Sequence, residues 1–424
     1  MIDTLRQFVL TVTSWQGYWW ALVFFAFYPV LSAIMWVSMG LQFWARRERG
    51  EEDRDISWPP ALDRYPMVTV LIPAYCEEKV ITETLNGAIS IDYPNFEVVV
   101  VDDASTDGTR DKVRPFVEAG LVRLVAKEKN EGKAMAMNDA LPCIRGEIVL
   151  VMDADATPDP LILRWMVPHF ESARVAGVTG NPRVHNRETY LSQLQMIEFT
   201  SIISLLRRAQ RTWGRILTMS GVVGAFRTSA LLAVGPYSPE MATEDIDMTW
   251  RLQREMYDVR YEPRAIVWMK VPPTLRGLFI QRKRWARGLA QVLRRYARVM
   301  VSWRRRRMWP VYIESSLSIL WAYCFVLLTA FWALSYALGI PPVGVSPIPN
   351  WWGMTIGTLC LVQLFTGVVL DSRYDKSIIR YFPVAIAYPI VYWMLQSLIT
   401  AYATPIGLFG RLKQGTVTQW RTQR

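Results

Sequence analysis

Four long apolar stretches frame the chain, and a polar region punctuated by short apolar runs lies between the first and the second. Tyr18 to Trp44 contains no charged residue and is long enough to cross about 30 Å of hydrocarbon with some tilt. Trp15, Trp19 and Trp20 stand at one end and Trp44 at the other, as interfacial aromatics do. Arg46, Arg47 and Arg49 follow at once, which places the next segment on the cytoplasmic side. The stretch is too long and begins too late for a signal peptide. Residues 48–66 are charged and carry Pro59-Pro60, the pattern of a linker.

From residue 67 the pattern changes to alternating strands and helices. Met67–Pro73, Glu97–Val101 and Leu121–Val125 predict strands, and Glu77–Ser90 predicts a helix. Glu147-Ile-Val-Leu-Val-Met-Asp153 predicts a strand buried on both faces, as in a parallel sheet. The order reads as a βαβ series with right-handed crossovers. Beyond it come the segment Val175–Arg183, an amphipathic stretch Tyr190–Gln210, and a glycine-bearing turn, Ser220-Gly221-Val-Val-Gly224. From Leu275 to Trp309 arginines are interleaved with Leu, Phe, Val and Trp, which predicts amphipathic helix lying at a membrane interface. Tyr312–Ile340 and Trp351–Leu370 predict two further spans, joined by an outside loop at Pro341–Pro349. Asp371–Arg380 reads as a cytoplasmic turn. Phe382–Leu408 is interrupted by Pro383, Pro389 and Pro405, so it crosses once or bends back, and the side of the basic tail stays open. Glu314, at the start of the second span, fits an interfacial position. The expected division is a first membrane helix at 1–47, a linker at 48–66, an α/β domain at 67–270, interfacial helices at 271–310, membrane helices at 311–410 and a tail at 411–424.

Composition narrows the chemistry. The net charge of +11 crowds beside the apolar spans and is accompanied by no nucleic-acid motif, so membrane anchoring accounts for it and nucleic acid is not expected as a partner. Cys76, Cys143, Cys324 and Cys360 form no C-x-x-C pair and predict free thiols. His169 and His185 are the only histidines, which leaves a carboxylate as the natural general base.

Asp153 and Asp155 project from the C-terminal end of a buried strand, where open α/β sheets bind ligands. Two carboxylates there suit a hard divalent cation holding phosphate oxygens, although an acidic solvated loop would read the same way. The first strand opens into Pro73-Ala-Tyr75-Cys-Glu77, the second into Asp102-Asp103-Ala-Ser105, and the third leads to Gly132-Lys133. Asp103 can accept from a base N–H, and Lys133 can sit beside phosphate. No G-x-G-x-x-G or P-loop is present. Ser220 and Gly221 form a turn where a sugar ring can approach backbone. Thr243-Glu244-Asp245 reads on its own as a helix N-cap followed by a favourable acidic first turn.

Together these residues resemble the family 2 glycosyltransferases. The family pattern is carried by Pro73-Ala-Tyr75-Cys-Glu77, Asp103-Ala-Ser105 (with Ala104 in place of the family's glycine), Gly132-Lys133-Ala134, Asp153-Ala-Asp155 and Thr243-Glu244-Asp245. Gln281-Arg-Lys-Arg284-Trp285 matches the Q-x-x-R-W element of its processive members. The resemblance implies an α/β GT-A (nucleotide-diphospho-sugar transferase) cytosolic domain plus α-helical transmembrane segments. It implies that Pro73, Tyr75, Glu77, Asp103, Lys133 and Asp153 bind UDP, and that Asp153 and Asp155 hold Mg²⁺ or Mn²⁺. Asp245 becomes the base, beside Glu244. Gln281, Arg284 and Trp285 complete the catalytic set, and Ser220, Gly221 and Trp285 meet the acceptor.

Gly180-Asn-Pro-Arg183, Ser201-Ile-Ile and Tyr261-Glu-Pro-Arg264-Ala265 fit the bacterial poly-β-1,6-N-acetylglucosamine synthase subgroup. That subgroup implies UDP-GlcNAc as donor, a growing polysaccharide, the inner membrane, export of a biofilm polymer, a small two-span subunit and cyclic di-GMP. A chitin-, hyaluronan- or cellulose-type synthase, a single-sugar transferase to a lipid phosphate, and a non-catalytic nucleotide-sugar-binding scaffold remain the competing readings.

Overall fold

The computed structural model describes residues 2–50, 59–340 and 351–410. The expected outside loop at 341–349, the middle of the linker (51–58) and the basic tail lie outside the described residues. The chain opens on a short helix α1 (Ile2–Ser14) that precedes the first long helix α2 (Gln16–Arg47). The sequence reading merged the two; a break at Trp15 separates them.

The α/β part follows as β1 (Val68–Ala74), α3 (Ile81–Ile89), β2 (Phe96–Asp102), α4 (Thr109–Glu118), β3 (Arg123–Ala126), α5 (Lys133–Ala140), β4 (Ile148–Met152), β5 (Ala156–Pro158), α6 (Ile162–Met166) and β6 (Val175–Val184). Then come α7 (Tyr190–Ile197), a π-helical segment (Glu198–Ile203), α8 (Ser204–Trp213), β7 (Val223–Arg227), α9 (Thr228–Val234), α10 (Glu244–Arg254) and β8 (Asp258–Met269). The strands form one sheet in the order β3-β2-β1-β4-β7-β6-β8-β5. β3, β2, β1 and β4 are parallel, as the βαβ pattern predicts. β7 runs antiparallel to both β4 and β6, so the sheet is mixed. All seven residues of β1 and all five of β4 are buried. Successive side chains alternate between faces. Val70 and Ile72 join a core with Leu85, Leu150 and Trp165, while Leu71 joins Val99, Met137 and Met248 on the other side.

The remainder is α11 (Leu275–Arg295), α12 (Trp309–Ala337), α13 (Trp351–Asp371) and α14 (Trp393–Phe409), with short 3₁₀ and π segments between Lys376 and Tyr392. Four segments, Gln16–Arg47, Trp303–Ala337, Gly353–Asp371 and Lys376–Phe409, are long and apolar enough to cross a membrane. Their outward faces carry Trp20, Leu31, Leu327, Phe365 and Val391, exposed as lipid-facing side chains are. The last segment is bent rather than straight, with Pro383 inside its 3₁₀ portion and a π turn at Tyr388–Tyr392.

Two further contacts tie the parts together. Phe199, Leu278, Leu364, Val368, Tyr388 and Tyr392 form one apolar cluster that joins the π segment, α11, α13 and the bent span. A buried ionic network joins the spans to the sheet. Arg208 binds Glu48 through Nε (2.7 Å) and Asp371 through Nη1 (2.7 Å), and Arg183 binds Asp371 at 3.0 Å. Tyr374 donates to Glu48 at 2.8 Å. Glu48, assigned to a linker by its polarity, and Asp371, assigned to a solvated turn, are thus both interior residues. Each is drawn inward by an arginine distant in sequence.

Candidate active site

The parallel strand ends and α11 enclose a cavity of about 410 Å³. Glu77, Lys133, Asp153, Asp155, Ser220, Gly221, Glu244, Asp245, Gln281, Arg284 and Trp285 all line it. Pro73 and Tyr75 lie at the end of β1, outside that lining. Asp103 is also outside it: its wholly buried carboxylate accepts from the Glu131 and Gly132 amides and pairs with Lys127 at 3.1 Å. It shapes the loop that ends in Lys133, a nearer task than the base contact expected from the sequence.

Lys133 is the first residue of α5 and reaches across to β4. Its Nζ donates to Asp153 (2.5 Å) and to the Gly221 carbonyl (3.0 Å), and lies 3.6 Å from Glu244. Burial opposes its charge, but Asp153, Glu244 and Asp245 outweigh burial and hold the ammonium above the ordinary lysine range. Gly221 links the two ends of the site. Its carbonyl receives Lys133, and its N–H donates to Asp245 Oδ2 at 3.1 Å.

Asp245 lies in the first turn of α10, with Oδ1 accepting from the Ile246 N–H at 2.9 Å. Burial and the neighbouring Glu244 push its carboxyl up to about 6, against the pull of Lys133, the Ile246 N–H and Arg284. A carboxylate poised there can take a proton near neutral pH. Thr243 occupies the N-cap position, but its side chain makes no cap hydrogen bond and Oγ1 has no partner. Capping therefore does not account for this triplet.

Gln281, Arg284 and Trp285 fall at i, i+3 and i+4 of α11, on one face. Two close approaches fix that helix. A Cβ on Gly288 would come within 2.2 Å of Thr243 Oγ1, and one on Gly407 within 2.4 Å of the Arg287 carbonyl. Glycine is needed at both places for α10, α11 and α14 to pack this closely. Sequence reasoning passed over Arg282. Its guanidinium lies 4.2 Å from the centre of the Trp285 ring, pairs with Glu198 in the π segment, and lies 3.3 Å from the Tyr392 hydroxyl. Phe199 packs edge-on against the same indole. One face of Trp285 is taken, so a sugar can stack only on the other. Gln396 and Thr400 of α14 line the cavity too, carrying it from the acidic strand end to the last span.

A family profile described as "Glycosyltransferase like family 2" matches residues 66–288. Poly-beta-1,6-N-acetyl-D-glucosamine synthase of Staphylococcus epidermidis is 30% identical over 408 residues, covering 94% of this chain and 96% of the relative. The Staphylococcus aureus protein of the same name is 31% identical over 406 residues, with the same coverage. Among solved structures, a mannosyltransferase from Pyrobaculum calidifontis, in complex with GDP-Man and Mn²⁺, superposes with a TM-score of 0.61 at 24% identity. That likeness covers 91% of this chain and 99% of the other, and it establishes a shared fold. A profile match over more than half of the chain, with relatives aligned along nearly all of it, makes the assignment direct: the chain belongs to glycosyltransferase family 2.

Proposed function

We propose that the chain is a processive, inverting synthase. It transfers N-acetylglucosamine from UDP-GlcNAc to a growing β-1,6-linked chain and passes the product across the bacterial inner membrane, with residues 67–270 as its cytoplasmic catalytic domain. The observation that carries this reading is the cavity that joins Asp153 and Asp155, through Asp245 and Trp285, to Gln396 and Thr400 of the last span. The names of the relatives supply the sugar and the linkage.

Pro73, Tyr75 and Glu77 form the uridine end of the site, Asp103 acts through the loop that ends in Lys133, and Lys133 and Arg284 supply positive charge to the diphosphate. Asp153 and Asp155 offer carboxylate oxygens only, and among the described residues no group of three metal-ligating side chains is formed. That donor set suits Mg²⁺ or Mn²⁺ when substrate phosphate oxygens complete the shell. Held there, such an ion would supply charge neutralisation for the diphosphate. Asp245 removes the proton from the acceptor hydroxyl as its oxygen bonds to the anomeric carbon. The bond from that carbon to the phosphate oxygen breaks, UDP leaves with the electron pair, and configuration inverts. Trp285, held by Arg282 and Phe199, offers its free face to the terminal sugar beside Ser220 and Gly221. A small two-span subunit and cyclic di-GMP complete the proposal as partner and activator for biofilm polymer export.

The test is product formation from radiolabelled UDP-GlcNAc by membranes containing the chain, alone and with the candidate subunit and cyclic di-GMP. A large product digested by a β-1,6-specific hexosaminidase is expected. A large product that resists digestion rejects the linkage, and one single-sugar adduct rejects processivity.

A further inference from the structure

Two adjacent arginines of α8 have opposite surroundings. Arg208 is saturated by Glu48, Asp371 and the Ser204 hydroxyl. Arg207 is also buried, at 5% exposure, yet among the described residues no carboxylate lies within ion-pair distance of it. Its one protein hydrogen bond runs from Nη1 to the Gly180 carbonyl at 3.1 Å, and Nε has no partner. Tyr261 presents a ring face 5.9 Å away. Buried guanidinium groups are ordinarily paired, because leaving one unpaired costs several kcal/mol. Arg207 lines the catalytic cavity instead.

Its neighbours on the helix define what it meets there. Ile203, Leu206, Arg207 and Gln210 recur at helical spacing and all line the cavity. Gln210 accepts from the Leu217 N–H through Oε1 at 3.0 Å, and its Nε2 is a buried donor without a partner. This wall therefore holds two apolar side chains and two buried donors without partners, one of them cationic, and no unused acceptor from Arg207 or Gln210. The backbone anchor of Arg207, Gly180, adjoins Thr179, whose hydroxyl accepts from the Ser220 N–H beside Gly221 and Asp245. The charge of Asp245 acts on Arg207 as it does on Lys133. Lys133 serves the Asp153 end; Arg207 belongs to a different wall of the same cavity.

A ligand for that wall must bring strong acceptor oxygens, have apolar faces and carry no positive charge. Resting on the function proposed above, we infer that Arg207, assisted by Gln210, binds the acetamido carbonyl of the acceptor sugar and so selects N-acetylated chain ends. An amide carbonyl is the strongest neutral acceptor on such a sugar. A free amino group in its place is protonated, offers no acceptor and is repelled by the guanidinium.

The experiment uses the full chain in membranes, with β-1,6-linked trisaccharides of GlcNAc or glucosamine as acceptors. Hydrogen bonds to a charged group are worth about 1.5–3 kcal/mol, or roughly 10- to 100-fold. Arg207→Gln is expected to raise KM for the GlcNAc trisaccharide about 10-fold or more, leave KM for UDP-GlcNAc within about two-fold, and abolish the preference for the acetylated acceptor. Arg207→Lys should keep part of that preference. An unchanged acceptor KM and preference in a variant with wild-type melting temperature overturns the inference. So does a rise confined to the KM for UDP-GlcNAc, which would place Arg207 at the nucleotide. Calorimetric binding of the same trisaccharides separates this inference from the parent reading. Loss of acetyl-selective binding in Arg207→Gln supports it even if UDP-GlcNAc proves not to be the donor, and equal binding by both proteins rejects it.

Discussion

A general base works best when its proton affinity lies near the working pH. Asp245, raised to about 6 chiefly by burial and Glu244, meets that condition, and the sign follows directly. Lowering the pH through about 6 fills the carboxyl with a proton before the acceptor arrives, so kcat/KM should fall there and level off above; a pH–rate profile checks this. Asp245→Asn should cut kcat by about 10²–10⁴ while UDP binding survives, since the carboxamide keeps the shape but cannot take the proton. Ala104 makes a separate prediction. It stands where the family carries glycine, and its φ of 59° lies in the left-handed region. An L-residue there costs about 1–2 kcal/mol. Ala104→Gly should raise the melting temperature by an amount equivalent to about 1 kcal/mol without changing turnover. At this scale the sequence was most readable. The Asp-x-Asp, Thr243–Asp245 and Q-x-x-R-W residues converge on one cavity because each sits at a strand end or in a helical turn, where position in the element fixes direction. Arg207 and Arg282 were passed over because one arginine among many in an amphipathic stretch carries no mark of its partner.

At the scale of elements, α11 is the piece that joins chemistry to membrane. It is pressed between the Thr243 turn and α14 at Gly288 and Gly407, and it carries Trp285 on one face with Arg282 behind it. Glu198 is the counter-charge that keeps Arg282 in place. Removing one partner of a buried pair costs about 3–5 kcal/mol. Glu198→Gln should therefore lower thermal stability and free the indole, giving shorter polymer at unchanged KM for UDP-GlcNAc; gel analysis of product length and a melting curve in detergent read the two effects. The strands and long helices were legible because period-two and unbroken apolar runs report burial directly. The π segment was not. Tyr190–Gln210 reads as one amphipathic helix, and its wider turn at Glu198–Ile203 has no residue signature, since such turns arise from packing against other elements.

Over the whole molecule, the sheet and spans are locked by charges far apart in the chain. Asp371 meets both Arg183 and Arg208, and Glu48 meets Arg208 and Tyr374. Asp371→Asn should destabilise the protein by about 3–5 kcal/mol, measured by thermal unfolding, because Arg183 then loses its carboxylate and Arg208 keeps only Glu48. Nothing in local periodicity could reveal this. Polarity alone sends Glu48 to a linker and Asp371 to a turn, and only the fold supplies the cations that make burial tolerable.

The same network bears on how the protein can be made. A polypeptide trimmed to the α/β region at the apparent linker would bury two arginines whose counter-charges had been cut away with the first and third spans. On the ribosome those arginines emerge early, and Asp371 reaches them only after the third span has been synthesised. The catalytic half is thus completed by membrane insertion, and attempts to express it as a free-standing soluble enzyme should yield aggregates rather than a smaller transferase.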